Sequence, residues 1–92
     1  MARIYQTWCS GDAHVHAALV EDPGRADLLV YRVLSWGEAI GDAYWYITRN
    51  RQDASVCIYF DSIGMSEIRV CFVNTRGMAG WRTPHRLKGR FR

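Results

Sequence analysis

Gly24-Arg25-Ala26-Asp27-Leu28-Leu29-Val30-Tyr31-Arg32-Val33 joins a turn signal to a strand signal, and the same join recurs along the chain. Asp22-Pro23 sets the turn ahead of Gly24, because proline fixes φ and glycine tolerates φ > 0. The Gly-x-Ala tripeptide returns as Gly11-Asp12-Ala13, Gly37-Glu38-Ala39 and Gly77-Met78-Ala79, with weaker copies Gln52-Asp53-Ala54 and Gly64-Met65-Ser66. The third residues stand at 13, 26, 39, 54, 66 and 79, so the steps are 13, 13, 15, 12 and 13. Spacing this regular marks an internal repeat, and a repeat decides fold class before any single element does.

The segment after each copy is repeated too. His14-Val15-His16-Ala17-Ala18-Leu19-Val20, Ser55-Val56-Cys57-Ile58-Tyr59-Phe60 and Glu67-Ile68-Arg69-Val70-Cys71-Phe72-Val73 are short apolar runs bounded by turn formers, which read as strands. The unit after Ala39 is longer, and Gly41-Asp42 absorbs the excess before Ala43-Tyr44-Trp45-Tyr46-Ile47. With Arg3-Ile4-Tyr5-Gln6 at the start and Ala79-Gly80-Trp81-Arg82 at the end, seven strands and no useful helix are expected. Period two places Ala13/Val15/Ala17, Ala26/Leu28/Val30, Ala54/Val56/Ile58 and Ser66/Ile68/Val70 on one face, which is the expected core. The ends Leu19-Val20, Val33-Leu34 and Phe72-Val73 are apolar on both faces, which implies cover from a crossing segment. The glycine of each copy implies a backbone that a Cβ would strain, or a close approach, so Val at Gly24 or Gly77 is expected to destabilise.

The chain is 49% hydrophobic and 23% charged, an ordinary globular composition. No apolar run nears the ~20 residues that span a bilayer, and no signal peptide is read at Met1-Ala2-Arg3-Ile4-Tyr5. Cys9, Cys57 and Cys71 are an odd, widely spaced set, which reads as free thiols of a cytoplasmic protein. From Met1 to Thr75 there are six Lys/Arg against nine Asp/Glu, a net of −3; from Arg76 to Arg92 there are six and none, a net of +6. The expected organisation is one β-repeat domain over 1–82 and a basic C-terminal tail over 83–92.

The strand repeat closing on Ala79-Gly80-Trp81-Arg82, with Arg3-Ile4-Tyr5, Ala26-Asp27-Leu28-Leu29-Val30-Tyr31 and Trp45-Tyr46, resembles the 7(1) septoil knot domain family over nearly the whole chain, residues 2–82. Gln52, Ser66 and Ala17-Ala18 depart from the pattern. The resemblance implies a backbone wound on itself with seven crossings and carries no assigned function.

His14-x-His16 puts two imidazoles on one strand face, a half-site at most, and no metal or cofactor is expected. Asp12, Glu38 and Asp53 share one repeat phase, which repetition explains better than acid/base pairing. No nucleophile elbow, zinc-protease or phosphate-loop motif occurs, so enzyme is the disfavoured class. Tyr5, Tyr31, Tyr46 and Tyr59 share a phase and are expected to pack as a cross-strand stripe. The favoured expectation is a monomeric, non-enzymatic binding or interaction module on a kinetically stable knotted scaffold. The alternative is weak binding of nucleic acid, or of an acidic protein, by the tail. Its candidate residues are Trp81, Arg82, Arg86, Lys88, Arg90 and Arg92, with Phe91 or Trp81 stacking on a base.

Overall fold

Every copy of the tripeptide folds as one turn of 3-10 helix leading into a strand. The structure, a computed structural model, describes residues 2–91. The strands are β1 (Ala2–Gln6), β2 (Val15–Leu19), β3 (Leu28–Val33), β4 (Tyr44–Ile47), β5 (Val56–Phe60), β6 (Ile68–Phe72) and β7 (Gly80–Trp81). The turns between them are Ser10–Asp12, Pro23–Arg25, Trp36–Glu38, Arg51–Asp53, Ile63–Met65 and Arg76–Met78. Gly11, Gly24, Gly37, Gln52, Gly64 and Gly77 are their central residues. Ala13, Ala26, Ala39, Ala54, Ser66 and Ala79 come next as caps, each N–H donating back to the turn's first carbonyl. The protein is all-β with seven short strands, as its sequence pattern implies.

Six strands close into a parallel barrel in the order β1, β5, β2, β6, β3, β4 and back to β1. β7 runs antiparallel beside the start of β3. Consecutive strands therefore sit mostly two places apart, and the chain travels almost twice round the barrel. Parallel strands ordinarily need a crossover of about a dozen residues to return to the same end. Here the register removes that need. Ile58 of β5 faces Gln6 at the end of β1 on one side and Val15 at the start of β2 on the other. Val70 likewise faces Leu19 and Leu28. A connection has only to step sideways over one strand.

Each step is clamped to the strand it crosses. Thr7 and His14 donate their N–H groups to the carbonyls of Ile58 and Cys57, and Val20 and Asp27 donate to Val70 and Arg69. Thr48 and Ser55 do the same to Ile4 and Arg3, and Asp61 and Glu67 to Ala17 and His16. The side chain just after the small residue completes the clamp. His14 Nδ1 accepts from Cys57 N at 3.0 Å, Asp27 Oδ2 from Arg69 N at 3.0 Å, Ser55 Oγ from Arg3 N at 3.0 Å, and Glu67 Oε2 from His16 N at 3.1 Å.

The expected core face is the barrel interior from its second residue on: Val15, Ala17, Leu28, Val30, Val56, Ile58, Ile68 and Val70 are all buried, whereas Ala13, Ala54 and Ser66 are half-buried in the crossings and Ala26 packs in a separate cluster with Leu29 and Cys71. Trp45 fills the middle, with the ring of Phe72 at 5.9 Å and that of Phe91 at 5.4 Å. Residues 83–91, set apart in the sequence as a tail, plug the end where the strands begin. Leu87 and Phe91 are 4% and 0% exposed. The Asp42 carboxylate accepts from Trp81 Nε1 at 2.9 Å, Gly89 N at 2.6 Å and Phe91 N at 3.1 Å. Ser55 Oγ also donates to the Phe91 carbonyl at 3.1 Å. Two apolar residues hidden among cations made this stretch look solvated.

The glycines of the repeat play a milder part than expected. None of Gly11, Gly24, Gly37, Gly64 and Gly77 has a positive φ; that conformation falls to Gly41, Gly80 and Gly89. A Cβ would meet nothing within 4 Å at Gly11, Gly37, Gly64 or Gly77, and only the Asp22 carboxylate oxygen, at 3.2 Å, presses on one at Gly24. A 3-10 turn has ordinary negative φ, so any residue fits its exposed centre. Gly77→Ala should therefore stay within about 1 kcal/mol of the parent in denaturant melts. Gly80→Ala, at φ +146°, should lose about 1–3 kcal/mol. Equal melts for the two would contradict this geometry. Phe91→Ala should cost about 3–5 kcal/mol by the same measurement, as core truncations do. A change no larger than the ~0.5 kcal/mol of a surface substitution would show that the plug does not form.

Candidate functional site: the open mouth of the barrel

Because the six barrel strands are parallel, their C-terminal ends meet at one end. The alternation that buries two side chains of each strand turns a third inward at that end: Gln6, Leu19, Arg32, Ile47, Phe60 and Phe72. They line a cavity of about 630 Å³, together with Ile4 and Tyr31 and with Val73 and Asn74 just beyond β6. Nothing plugs this end among the described residues, and Leu19 and Phe72 stay 50% and 39% exposed. Arg32 is the one charged side chain of the lining. The six ion pairs among the described residues use Arg51, Arg69, Arg76, Arg86, His16 and His85, and Arg32 is in none of them.

The strand ends read as apolar on both faces divide accordingly. Val33 and Val73 are buried as expected, whereas Leu19 and Phe72, at the mouth, and Leu34, 87% exposed, are not covered by a crossing segment among the described residues. Arg32 also left a signal in the sequence. It continues the inward row Leu28, Val30 at period two, where an aliphatic residue would end a sealed core.

The candidate residues of the C-terminal segment separate. Trp81, Arg82 and Lys88 line one shallow cleft with Thr83, Pro84 and His85. Trp81 is half-buried, its ring stacked on His85 at 5.6 Å, and Arg82 donates to the Pro23 carbonyl at 2.6 Å. Arg86 is engaged by Glu67 at 2.9 Å. That guanidinium, and then the His16 N–H, hold the Glu67 carboxyl below its ordinary value of 4.5. The stabilisation is present above that value and is lost as pH falls through the lower folded one. Arg90 is exposed, Phe91 is too deeply buried to stack on a base, and Arg92 lies outside the described residues.

The remaining candidates are committed locally. His14 clamps Cys57, whereas His16 faces Asp61 at 3.5 Å and Tyr59 at 5.6 Å between ring centres. Among the described residues no three His, Cys, Asp or Glu are placed to hold a metal ion. Asp12 pairs with Arg51 and Glu38 with Arg76 on separate turns. The tyrosines do not form one stripe: Tyr31 packs on Tyr44, Tyr46 on Trp36 and Tyr59 on His16. Burial, and then the charge of Asp22, push the Cys71 thiol up, which disfavours the reactive thiolate.

No helix among the described residues is long and apolar enough to cross a membrane. No curated protein and no solved structure matches the chain. A family model described as the 7(1) septoil knot domain matches residues 1–82, and the chain belongs to that family.

Proposed function

We propose that this protein is a non-enzymatic binding module whose site is the open C-terminal mouth of the barrel. One observation carries the reading. Six strands end around an unfilled apolar cavity, while Leu87 and Phe91 fill the opposite end. Barrel mouths are favoured places for ligands. Parallel barrels bind at the C-terminal ends of their strands, which is an analogy of architecture only.

The lining defines the ligand. A volume of about 630 Å³ suits a small molecule rather than a protein segment with flanking contacts. Leu19, Phe60 and Phe72 offer apolar surface, and Arg32, free of an ion pair among the described residues, offers a fork of donors to an anion. A small carboxylic acid with an aliphatic or aromatic body satisfies both. The described lining has no carboxylate, imidazole or thiol, which favours holding a ligand over transforming it.

The scaffold belongs to the same reading. Repetition of one strand-and-turn unit, wound almost twice round the barrel, supports a seven-crossing knot whose kinetic signature is slow unfolding for its stability. Pairing of the six barrel strands on both edges supports a monomer, and three free cysteines support the reducing cytoplasm.

Decanoate and decanol, which differ mainly in charge, test the mouth when titrated into ¹⁵N-labelled protein. Shifts should concentrate at Gln6, Leu19, Arg32, Phe60 and Phe72, with decanoate about tenfold tighter, as a charged hydrogen bond of ~1.5 kcal/mol requires. Arg32→Met should abolish the preference while keeping decanol binding. Absence of shifts up to millimolar ligand, or shifts centred elsewhere, would refute the assignment.

A further inference from the structure

We propose that a second site, on the outer wall where residues 20–27 cross β6, takes the phosphates of single-stranded nucleic acid. This site is separate from the mouth and does not depend on it. Arg25, Arg69 and Arg82 line one cleft of about 300 Å³ with Thr83 and Asp27. Its net charge is three guanidinium groups less one carboxylate, or +2. Asp27 accepts from Arg69 N at 3.0 Å and from Thr83 Oγ1 at 3.5 Å, with Arg69 Nε at 3.9 Å and His85 at 4.0 Å, so Arg69 is partly neutralised and Arg25 and Arg82 are the cations left to an anion. Arg82 is anchored by its bond to the Pro23 carbonyl, whereas Arg25 makes no ion pair among the described residues.

A neighbouring cleft of about 340 Å³ shares Arg82 and Thr83 and adds Lys88. The two clefts together gather four cations, Arg25, Arg69, Arg82 and Lys88, which suits several phosphates better than one isolated anion. The Trp81 ring is covered by His85, their planes 20° apart, and packs on Phe91 at 6.2 Å, so the His85 ring is the flat surface left to the second cleft. Such a surface suits an unstacked base, which a single strand offers and a duplex does not. Arg25 and Arg69 lie outside the C-terminal segment, so charge counting along the chain misses half of these cations.

Anisotropy of a labelled oligothymidylate, titrated with the full chain at low salt and at about 0.15 M, tests the site. Three or four engaged phosphates, at ~0.7 each, should give a log-log salt slope of about −2 to −3. Arg25→Gln, which removes no internal ion pair, should weaken binding about three- to tenfold and make the slope shallower by ~0.7. Arg82→Gln should weaken it too, and Arg51→Gln, which removes an equal charge elsewhere, should change it less than about twofold. Unchanged binding in both Arg25→Gln and Arg82→Gln, or no binding at low salt, would overturn the proposal. Equal competition by thymidine monophosphate or inorganic phosphate would also overturn it, in favour of a single-anion site.

Discussion

The stagger between neighbouring strands is the constraint on which the rest of the structure depends. The end of one strand lies level with the start of the strand two places on, as Gln6 and Val15 do on either side of Ile58. Short connections can therefore join parallel strands without helices. The clamps hold that stagger: at Cys57, Arg69, Arg3 and His16 the crossing chain bonds both the carbonyl and the N–H. Each such bond contributes only ~0.5–1.5 kcal/mol net, but an unmade one would leave a crowded backbone group unpaired. Closure also removes open edges from the six main strands.

The proposed binding surface arises from the same geometry. Parallel strands of nearly equal length present their last inward residues together, so sequence changes at Gln6, Leu19, Arg32, Ile47, Phe60 and Phe72 reshape one cavity without disturbing the clamps. Trp45 separates the two ends of the barrel, packed between Phe72 on the open side and Phe91 on the plugged side. Asp42 gathers Trp81, Gly89 and Phe91 on one carboxylate and so makes the two ends of the barrel different. That difference makes a symmetric-looking repeat, among the described residues, a barrel filled at one end and open at the other.

Much of the fold was legible because its strands obey period two and its turns share one small residue. Val15, Val30, Ile58 and Val70 identify the interior from the sequence alone. The stagger was not legible, since it depends on pairings such as Ile4 with Val56, more than fifty residues apart. The clamp residues His14, Asp27, Ser55 and Glu67 share a phase, yet their chemical variety hides the common role of acceptor. Arg32 was readable as a break in an aliphatic row. Phe91 was misplaced because local charge says nothing about a cavity closed from the far end of the chain. The cleft of Arg25, Arg69 and Arg82 is purely tertiary.

Native-state hydrogen exchange tests the crossing clamps most directly. The amides of Thr7, Val20, Thr48 and Asp61 lie outside the strands but bond the strands they cross. They should exchange only through global unfolding, with the same opening free energy as interior strand amides such as Ile58 and Val70. Fast local exchange of these four, while the strand amides remain fully protected, would contradict the account and reduce the crossings to ordinary surface loops.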